Sequence, residues 1–129
     1  AYNFLKSVKG KHIDLPLVID VEEWNNDIWV PKKKAIARLD AMVKCLESNN
    51  YKVIIYTNKD GFHKYIENNF THLPLWLCTF QYPHNIKNYN WTFLQYSHWG
   101  QVDGIKGDVD LNVFNGDKLE WERWLQAIQ

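Results

Sequence analysis

Several features that quickly assign a protein to a class are scarce or missing in this sequence of 129 residues. There are only two cysteines, Cys45 and Cys78, too few for a disulfide framework, and both fall in apolar patterns that predict buried thiols. Lysine plus arginine and aspartate plus glutamate number 15 each, so no excess charge indicates a nucleic acid or an anionic membrane as partner. No apolar run is long enough to span a bilayer.

The motifs of several common catalytic chemistries are also missing. The five histidines show neither the H-E-x-x-H pattern nor a paired spacing typical of zinc sites. The chain has no glycine-rich phosphate loop and no G-x-S-x-G elbow, and neither cysteine has a convincing histidine partner. We therefore expect a protein that uses no metal and no organic cofactor.

Aromatic residues, in contrast, are abundant. The chain is 46% apolar and 16% aromatic, with seven tryptophans and seven tyrosines, which excludes a disordered chain and predicts one domain with a substantial core. The aromatic side chains have two interpretations. They form a large aromatic core, or some of them line a groove that stacks on flat ligands such as sugar rings.

Apolar segments alternate with helical patterns along the first half of the chain. The segments that predict strands are 15–22, 51–58, 73–80, 91–97 and 107–114, and those that predict helices are 1–10, 31–50, 61–69 and 115–129. This alternation is typical of an α/β unit with parallel pairing and right-handed crossovers. An open sheet and a barrel that lacks its opening strands fit the pattern equally well.

The segment "LPLVIDVEEW" combines a buried strand with three acids at its end. Because side chains two residues apart share one face of a strand, Asp20 and Glu22 point together and Glu23 points away. Two carboxylates at the mouth of an apolar pocket raise each other's pKa, so one can serve as a general acid while the other stays charged. The alternative is a salt-bridged or helix-capping pair.

Three further predicted strands carry polar side chains toward their carboxyl ends. They are Tyr56 and Asn58 on the second strand, Gln95 and Tyr96 on the fourth, and Asp110 and Asn112 on the last. Since active sites of parallel α/β folds lie at the carboxyl ends of their strands, we expect these groups to converge with Asp20 and Glu22.

The segments "LPLVIDVE", "VIIYTN", "PLWLCTF", "WTFLQYS" and "GIKGDVDLNVFNG" carry a family resemblance through their order and spacing. Together they resemble glycoside hydrolase family 25, the peptidoglycan-cleaving lysozymes (muramidases) with an irregular β/α barrel. The resemblance implies that Glu22 is the catalytic acid/base, Asp20 its companion carboxylate, and Asp110 a substrate-binding acid on the last strand. It also implies that Tyr56, Trp76 and Gln95 line the substrate pocket.

The chain departs from the family pattern at three points. The family's barrel opens with a strand that carries a further active-site aspartate in a D-(V/I)-S segment, and nothing here matches it. Leu94 stands where a tryptophan is common, and Phe80 stands where a tyrosine is common. We therefore expect residues 1–129 to form a single glycoside hydrolase catalytic domain, an irregular TIM-like β/α barrel that lacks its first three strands.

The leading functional hypothesis is a secreted or cell-envelope lysozyme that cleaves the β-1,4 bond between N-acetylmuramic acid and N-acetylglucosamine with retention. Its partner would be the glycan strands of peptidoglycan, and two copies of the chain could pair through the open barrel edge. One alternative is a non-catalytic sugar-binding fragment of such a domain. Another is a metal-dependent barrel hydrolase that uses Asp20, Glu22 and Asp110 as ligands for a hard cation.

Overall fold

The computed structural model describes residues 1–23, 30–81 and 83–128. The helices are α1 (Tyr2–Val8), α2 (Lys32–Glu47), α3 (Lys59–Gly61) and α4 (Lys118–Ile128). The strands are β1 (Leu17–Asp20), β2 (Val53–Asn58), β3 (Leu75–Cys78), β4 (Phe93–Gly100) and β5 (Val109–Phe114). A π-helical turn (Phe62–Ile66) continues α3, and a 3-10 helical segment (Pro83–Tyr89) precedes β4. Among the described helices, none has the length and apolar character that crossing a membrane requires.

The strands form one sheet in the order β1-β2-β3-β4-β5. The predicted parallel pairing is confirmed from β1 through β4, whereas β5 runs antiparallel to β4. The reason is the short connection between β4 and β5, which has no crossover helix. A parallel return requires a crossover of a dozen or more residues, but antiparallel neighbours can be joined by a short loop.

The inner face of the sheet is concave. One apolar cavity of about 210 Å³ is lined by residues of all five strands and of α4, among them Val18, Ile54, Trp76, Phe93 and Trp124. The indole Nε1 of Trp76 on β3 donates a 2.9 Å hydrogen bond to Asn112 on β5, although β4 lies between these strands. The sheet therefore curls into part of a barrel, which confirms the predicted partial β/α barrel.

The outer face of the sheet carries most of the core. Leu17 and Ile19 of β1 pack in one buried cluster with Leu39, Val43 and Leu46, which recur at helical spacing along α2. This confirms that the odd-numbered positions of β1 form the helix-packing face. Burial of such side chains contributes about 1.5–3 kcal/mol each, so this cluster holds β1 and its acidic end in place.

The last helix begins as the sequence predicts. The backbone N–H of Glu120 donates to Asp117 Oδ1 at 2.8 Å, and the N–H of Asp117 donates to Glu120 Oε2 at 2.7 Å, which is a capping box. Trp121 and Trp124 then pack against Phe93, with ring centroids 6.0 and 5.2 Å apart. The two tryptophans of α4 are therefore packing residues, as predicted.

Candidate active site at one edge of the sheet

A cleft of about 420 Å³ opens at the edge of the sheet where β1 to β4 end. Its lining combines acidic, amide, thiol and aromatic side chains from all five strands or the residues that directly follow them. These are Glu22, Tyr56, Asn58, Lys59, Asp60, Cys78, Thr79, Phe80, Gln95, His98 and Asp110. The predicted convergence of polar groups therefore holds for Glu22, Tyr56, Asn58, Gln95 and Asp110.

Three predicted placements are wrong in detail. Asp110 lies near the start of β5 rather than at its carboxyl end, because β5 is antiparallel and begins at the edge where β4 ends. Asn112, two residues further along, lies below the cleft and accepts the hydrogen bond from Trp76. Tyr96 is 44% exposed and is absent from the residues that line the cleft.

The alternation of side chains after β1 is as predicted. Glu22 lines the cleft, whereas the Glu23 carboxylate turns to the other side and accepts hydrogen bonds from Lys64 Nζ at 2.5 Å and Tyr65 Oη at 2.7 Å. These two donors lower the pKa of the Glu23 carboxyl below its ordinary value. Glu23 is therefore an ion-paired structural residue next to a cleft residue.

The backbone on both sides of Glu22 is fixed by side chains of β2. Thr57 Oγ1 donates to the Val21 carbonyl oxygen at 2.5 Å. Asn58 Nδ2 donates to the Glu23 carbonyl oxygen at 3.0 Å, and Asn58 Oδ1 accepts from the Glu23 N–H at 3.3 Å. Because the backbone of both neighbours is held, Thr57 and Asn58 fix the direction in which the Cα–Cβ bond of Glu22 leaves the chain.

Asn58 also begins the next helix. Its Oδ1 accepts a 2.8 Å hydrogen bond from the Gly61 N–H, which caps α3 two residues earlier than the predicted start at residue 61. Gly61 is required here, since an added Cβ would lie 2.6 Å from the Val21 carbonyl oxygen. The close approach of α3 to the end of β1 is thus encoded by one glycine and one asparagine.

Asp20 is the last residue of β1 and lies two residues before Glu22 in the chain. It is exposed and is absent from the lining of the cleft, although desolvation still raises the pKa of its carboxyl. Its negative charge acts on the site, because it is one of the charges that raise the pKa of Tyr56 and of Cys78. Asp20 is therefore an electrostatic neighbour of the cleft.

Tyr56 and Gln95 form a polar pair across the inner face. Tyr56 Oη donates a 2.6 Å hydrogen bond to Gln95 Oε1, and Gln95 is only 7% exposed. Burial raises the pKa of the Tyr56 phenol far above its ordinary value, and the charges of Glu22 and Asp20 add to the effect. Tyr56 therefore stays a neutral hydroxyl that can donate or accept a hydrogen bond.

Trp76 lines the apolar cavity rather than the cleft, and its predicted contact with substrate stays a prediction. It lies below Tyr56 in the apolar cavity and meets that ring edge to face, with centroids 5.5 Å apart. The alternation of β3 explains the difference, since the next inward residue, Cys78, takes the cleft position. Trp76 therefore supports Tyr56 from beneath.

Cys78 is a cleft residue that the sequence analysis missed, although its parity with Trp76 could have revealed it. Cys45 and Cys78 are both unpaired and half-buried rather than fully buried as predicted. Burial raises the pKa of the Cys78 thiol, and the negative charges of Glu22 and Asp110 raise it further. Cys78 is therefore held as a neutral thiol and is a poor nucleophile.

The two substitutions relative to the family pattern affect the cleft differently. Leu94 is fully buried on the outer face, where it packs in a cluster with Leu77 and Ile86, so it does not alter the cleft. Phe80 lines the cleft and is 50% exposed. Of the two, only Phe80 changes the surface that a ligand would meet.

Metal ligation has no support in the part of the chain that the structure describes. Within residues 1–23, 30–81 and 83–128, no group of three histidine, cysteine, aspartate or glutamate side chains is arranged to hold a metal ion. Glu22 and Asp110 share the cleft, but Asp20 does not line it. The trio required by the metal-hydrolase alternative is therefore not gathered there.

Comparison with known proteins places this site in a family. Residues 1–105 match the model for glycosyl hydrolases family 25. The chain is 35% identical over 129 residues to the uncharacterized protein YegX of Escherichia coli strain K12, covering 98% of this chain and 46% of that protein. It is 25% identical over 119 residues to the autolytic lysozyme of Clostridium acetobutylicum, covering 89% of this chain and 35% of that protein.

Solved structures agree. A family 25 glycosyl hydrolase from Bacillus anthracis superposes with a TM-score of 0.68 at 31% identity, over 84% of this chain and 54% of that one. The chain thus spans about half the length, or less, of the proteins it matches. Since the family model covers most of its residues, the chain belongs to glycosyl hydrolases family 25.

Proposed function

We propose that the protein is a lysozyme-type peptidoglycan hydrolase. It would cleave the β-1,4 bond between N-acetylmuramic acid and N-acetylglucosamine, and so act at the cell wall. The observation that carries the proposal is the position of Glu22, which lines an open cleft together with Asp110 in a chain of family 25. The matching relative from Clostridium acetobutylicum is named an autolytic lysozyme, which supports the same reaction class.

Glu22 is proposed as the general acid and base. It would give its proton to the glycosidic oxygen as the bond from that oxygen to the sugar C1 breaks. The carbonyl oxygen of the substrate's own acetamido group would bond to C1 from the opposite face. Water, deprotonated by Glu22, would then add to C1 and restore the acetamide, so one water is consumed and the configuration at C1 is retained.

Asp20 is proposed to assist from the side of the acetamido group. Partial desolvation raises the pKa of the Asp20 carboxyl, and a developing positive charge on the sugar would be stabilised by this carboxylate. Tyr56, kept neutral and hydrogen-bonded to Gln95, and Asp110 would bind sugar hydroxyl or amide groups. Asp20, Tyr56, Gln95 and Asp110 would thus orient the sugar and stabilise its charge, and none of them would transfer a proton.

The test uses the full-length protein and purified peptidoglycan sacculi. Soluble products are reduced with borohydride and analysed by mass spectrometry, and a muramidase leaves reduced N-acetylmuramic acid at every new end. Reduced N-acetylglucosamine ends, or cleavage in the stem peptides only, would overturn the proposed bond specificity. Binding of sacculi without any released fragments would favour the non-catalytic sugar-binding alternative.

The retaining mechanism has its own test. Proton NMR of a short glycan during the first minutes of digestion reports the anomer that is formed first. The β-anomer is expected, and initial accumulation of the α-anomer would contradict the proposed participation of the acetamido group.

A further inference from the structure

Three aromatic rings cluster at the rim of the cleft without belonging to a hydrophobic core. The centroid of the His98 ring lies 3.6 Å from that of Trp99 and 4.6 Å from that of Phe80, and Phe80 and Trp99 are 5.3 Å apart. Phe80 is 50% exposed and Trp99 is 61% exposed. These three residues, here called the aromatic rim, thus offer large apolar surfaces to solvent in fixed mutual contact.

The backbone of β4 is irregular where it carries two of these rings, His98 and Trp99. The pairing of β4 with β5 is irregular between Gln95 and Ser97 and again between Ser97 and Gly100. Irregularities of this kind bend a strand and re-aim its side chains, and they are frequent beside active sites. The Trp99 N–H also donates a 3.1 Å hydrogen bond to Ser97 Oγ, which holds the bend.

The aromatic rim is continuous with the proposed catalytic cleft. Phe80 and His98 line the same cleft as Glu22 and Asp110, and Trp99 extends the surface outward from His98. Two of the three rim residues therefore face the same space as Glu22 and Asp110, and Trp99 continues that surface. Exposed aromatic faces suit the C–H faces of pyranose rings, which are apolar and flat.

We propose that the aromatic rim is a binding subsite for a further N-acetylhexosamine ring of the glycan, beside the bond at Glu22. The inference rests on the proposed function for the class of ligand, but it concerns affinity rather than chemistry. It predicts that a glycan must reach beyond the cleft to gain from Trp99, the one rim residue that does not line the cleft. A tetrasaccharide should therefore depend on Trp99, and a disaccharide should not.

The test measures binding in a Glu22→Gln background, so that no glycan is consumed. The probes are peptide-free disaccharide and tetrasaccharide fragments of peptidoglycan, titrated by calorimetry into the full-length protein. One stacked aromatic contact is worth about 0.5–1.5 kcal/mol, so Trp99→Ala and Phe80→Ala should each weaken tetrasaccharide binding by about threefold to tenfold. Trp99→Phe, which keeps a ring, should recover most of the lost affinity.

Tyr2→Ala is the matched control, because Tyr2 is an aromatic residue 79% exposed on α1. It should leave both affinities unchanged. Unchanged tetrasaccharide affinity in Trp99→Ala and Phe80→Ala, with native circular dichroism, would overturn the inference. So would an equal loss of disaccharide affinity in Trp99→Ala, or no binding of either glycan.

These outcomes are separable from those of the proposed function. Loss of tetrasaccharide affinity in the rim variants, in a protein that releases no fragments from sacculi, would support the subsite and refute the hydrolase. Release of muramidase products, together with unchanged tetrasaccharide affinity in the rim variants, would support the hydrolase and refute the subsite.

Discussion

Replacing Asn58 with alanine gives the most direct test of how the site is held. The Asn58 side chain makes hydrogen bonds of 2.8 Å with the Gly61 N–H, 3.0 Å with the Glu23 carbonyl oxygen and 3.3 Å with the Glu23 N–H. A typical intramolecular hydrogen bond contributes about 0.5–1.5 kcal/mol net, and the longest of these three is the weakest. Water can replace part of the loss, since Asn58 is only half-buried. We therefore expect Asn58→Ala to lower the free energy of unfolding by about 2–3 kcal/mol.

The measurement is urea unfolding followed by circular dichroism. With a denaturant slope of about 1–3 kcal/mol per molar, the midpoint should fall by about 1–2 M. Asn69→Ala is the control, because the Asn69 Nδ2 makes one exposed 3.0 Å hydrogen bond to the Tyr65 carbonyl oxygen. This surface change should cost at most about 0.5 kcal/mol. If Asn58→Ala destabilises the protein no more than Asn69→Ala does, the β2 side chains do not hold the backbone beside Glu22.

Three further predictions concern the surroundings of the cleft. Lys64 and Tyr65 lower the pKa of Glu23 below its ordinary value of 4.5. Their contacts with the Glu23 carboxylate therefore stabilise the fold fully at pH values above 4.5, and this stabilisation is lost as the pH falls through the lowered pKa. The melting-temperature gap between the unmutated protein and Glu23→Gln should therefore close on acidification, and a widening gap would contradict the assignment. Tyr56→Phe removes the donor to Gln95 Oε1 and should lower the free energy of unfolding by about 1–2 kcal/mol, so an unchanged urea midpoint would count against this pair. EDTA should alter neither melting temperature nor lysis, and a loss restored by Mg²⁺ or Ca²⁺ would revive the metal-dependent alternative.

Strand periodicity allowed much of the site to be predicted from the sequence. Alternation alone separated Glu22, which lines the cleft, from Glu23, which binds Lys64 and Tyr65 on the other side. It likewise separated the outer face of β1 from its inner face. These predictions succeed because a one-residue change of register would expose a whole row of buried side chains, so the pattern is strongly constrained.

Two properties were harder to predict: how far each inward-facing side chain lies from the edge of the sheet, and the direction of the last strand. Trp76 and Cys78 share one face of β3, but only Cys78 lines the cleft, whereas Trp76 lines the apolar cavity beneath it. The direction of β5 depends on the short loop before it rather than on its apolar pattern, which reads the same in both directions. The prediction that Asp110 lies at the edge of the sheet with the cleft is therefore correct, but Asp110 lies at the start of β5 and not at its carboxyl end.

The central claim is that Glu22 carries the proton in glycan cleavage, and its amide variant tests that claim most directly. Turbidity loss of a peptidoglycan suspension is compared for the unmutated protein, Glu22→Gln and Glu23→Gln, each with circular dichroism as a check of folding. Glutamine keeps the shape of Glu22 but cannot exchange the proton, so lysis should fall at least about a hundredfold in Glu22→Gln. Glu23→Gln should keep nearly full activity, since that side chain faces Lys64 and Tyr65. A folded Glu22→Gln protein that lyses the wall at close to the unmutated rate would contradict the account.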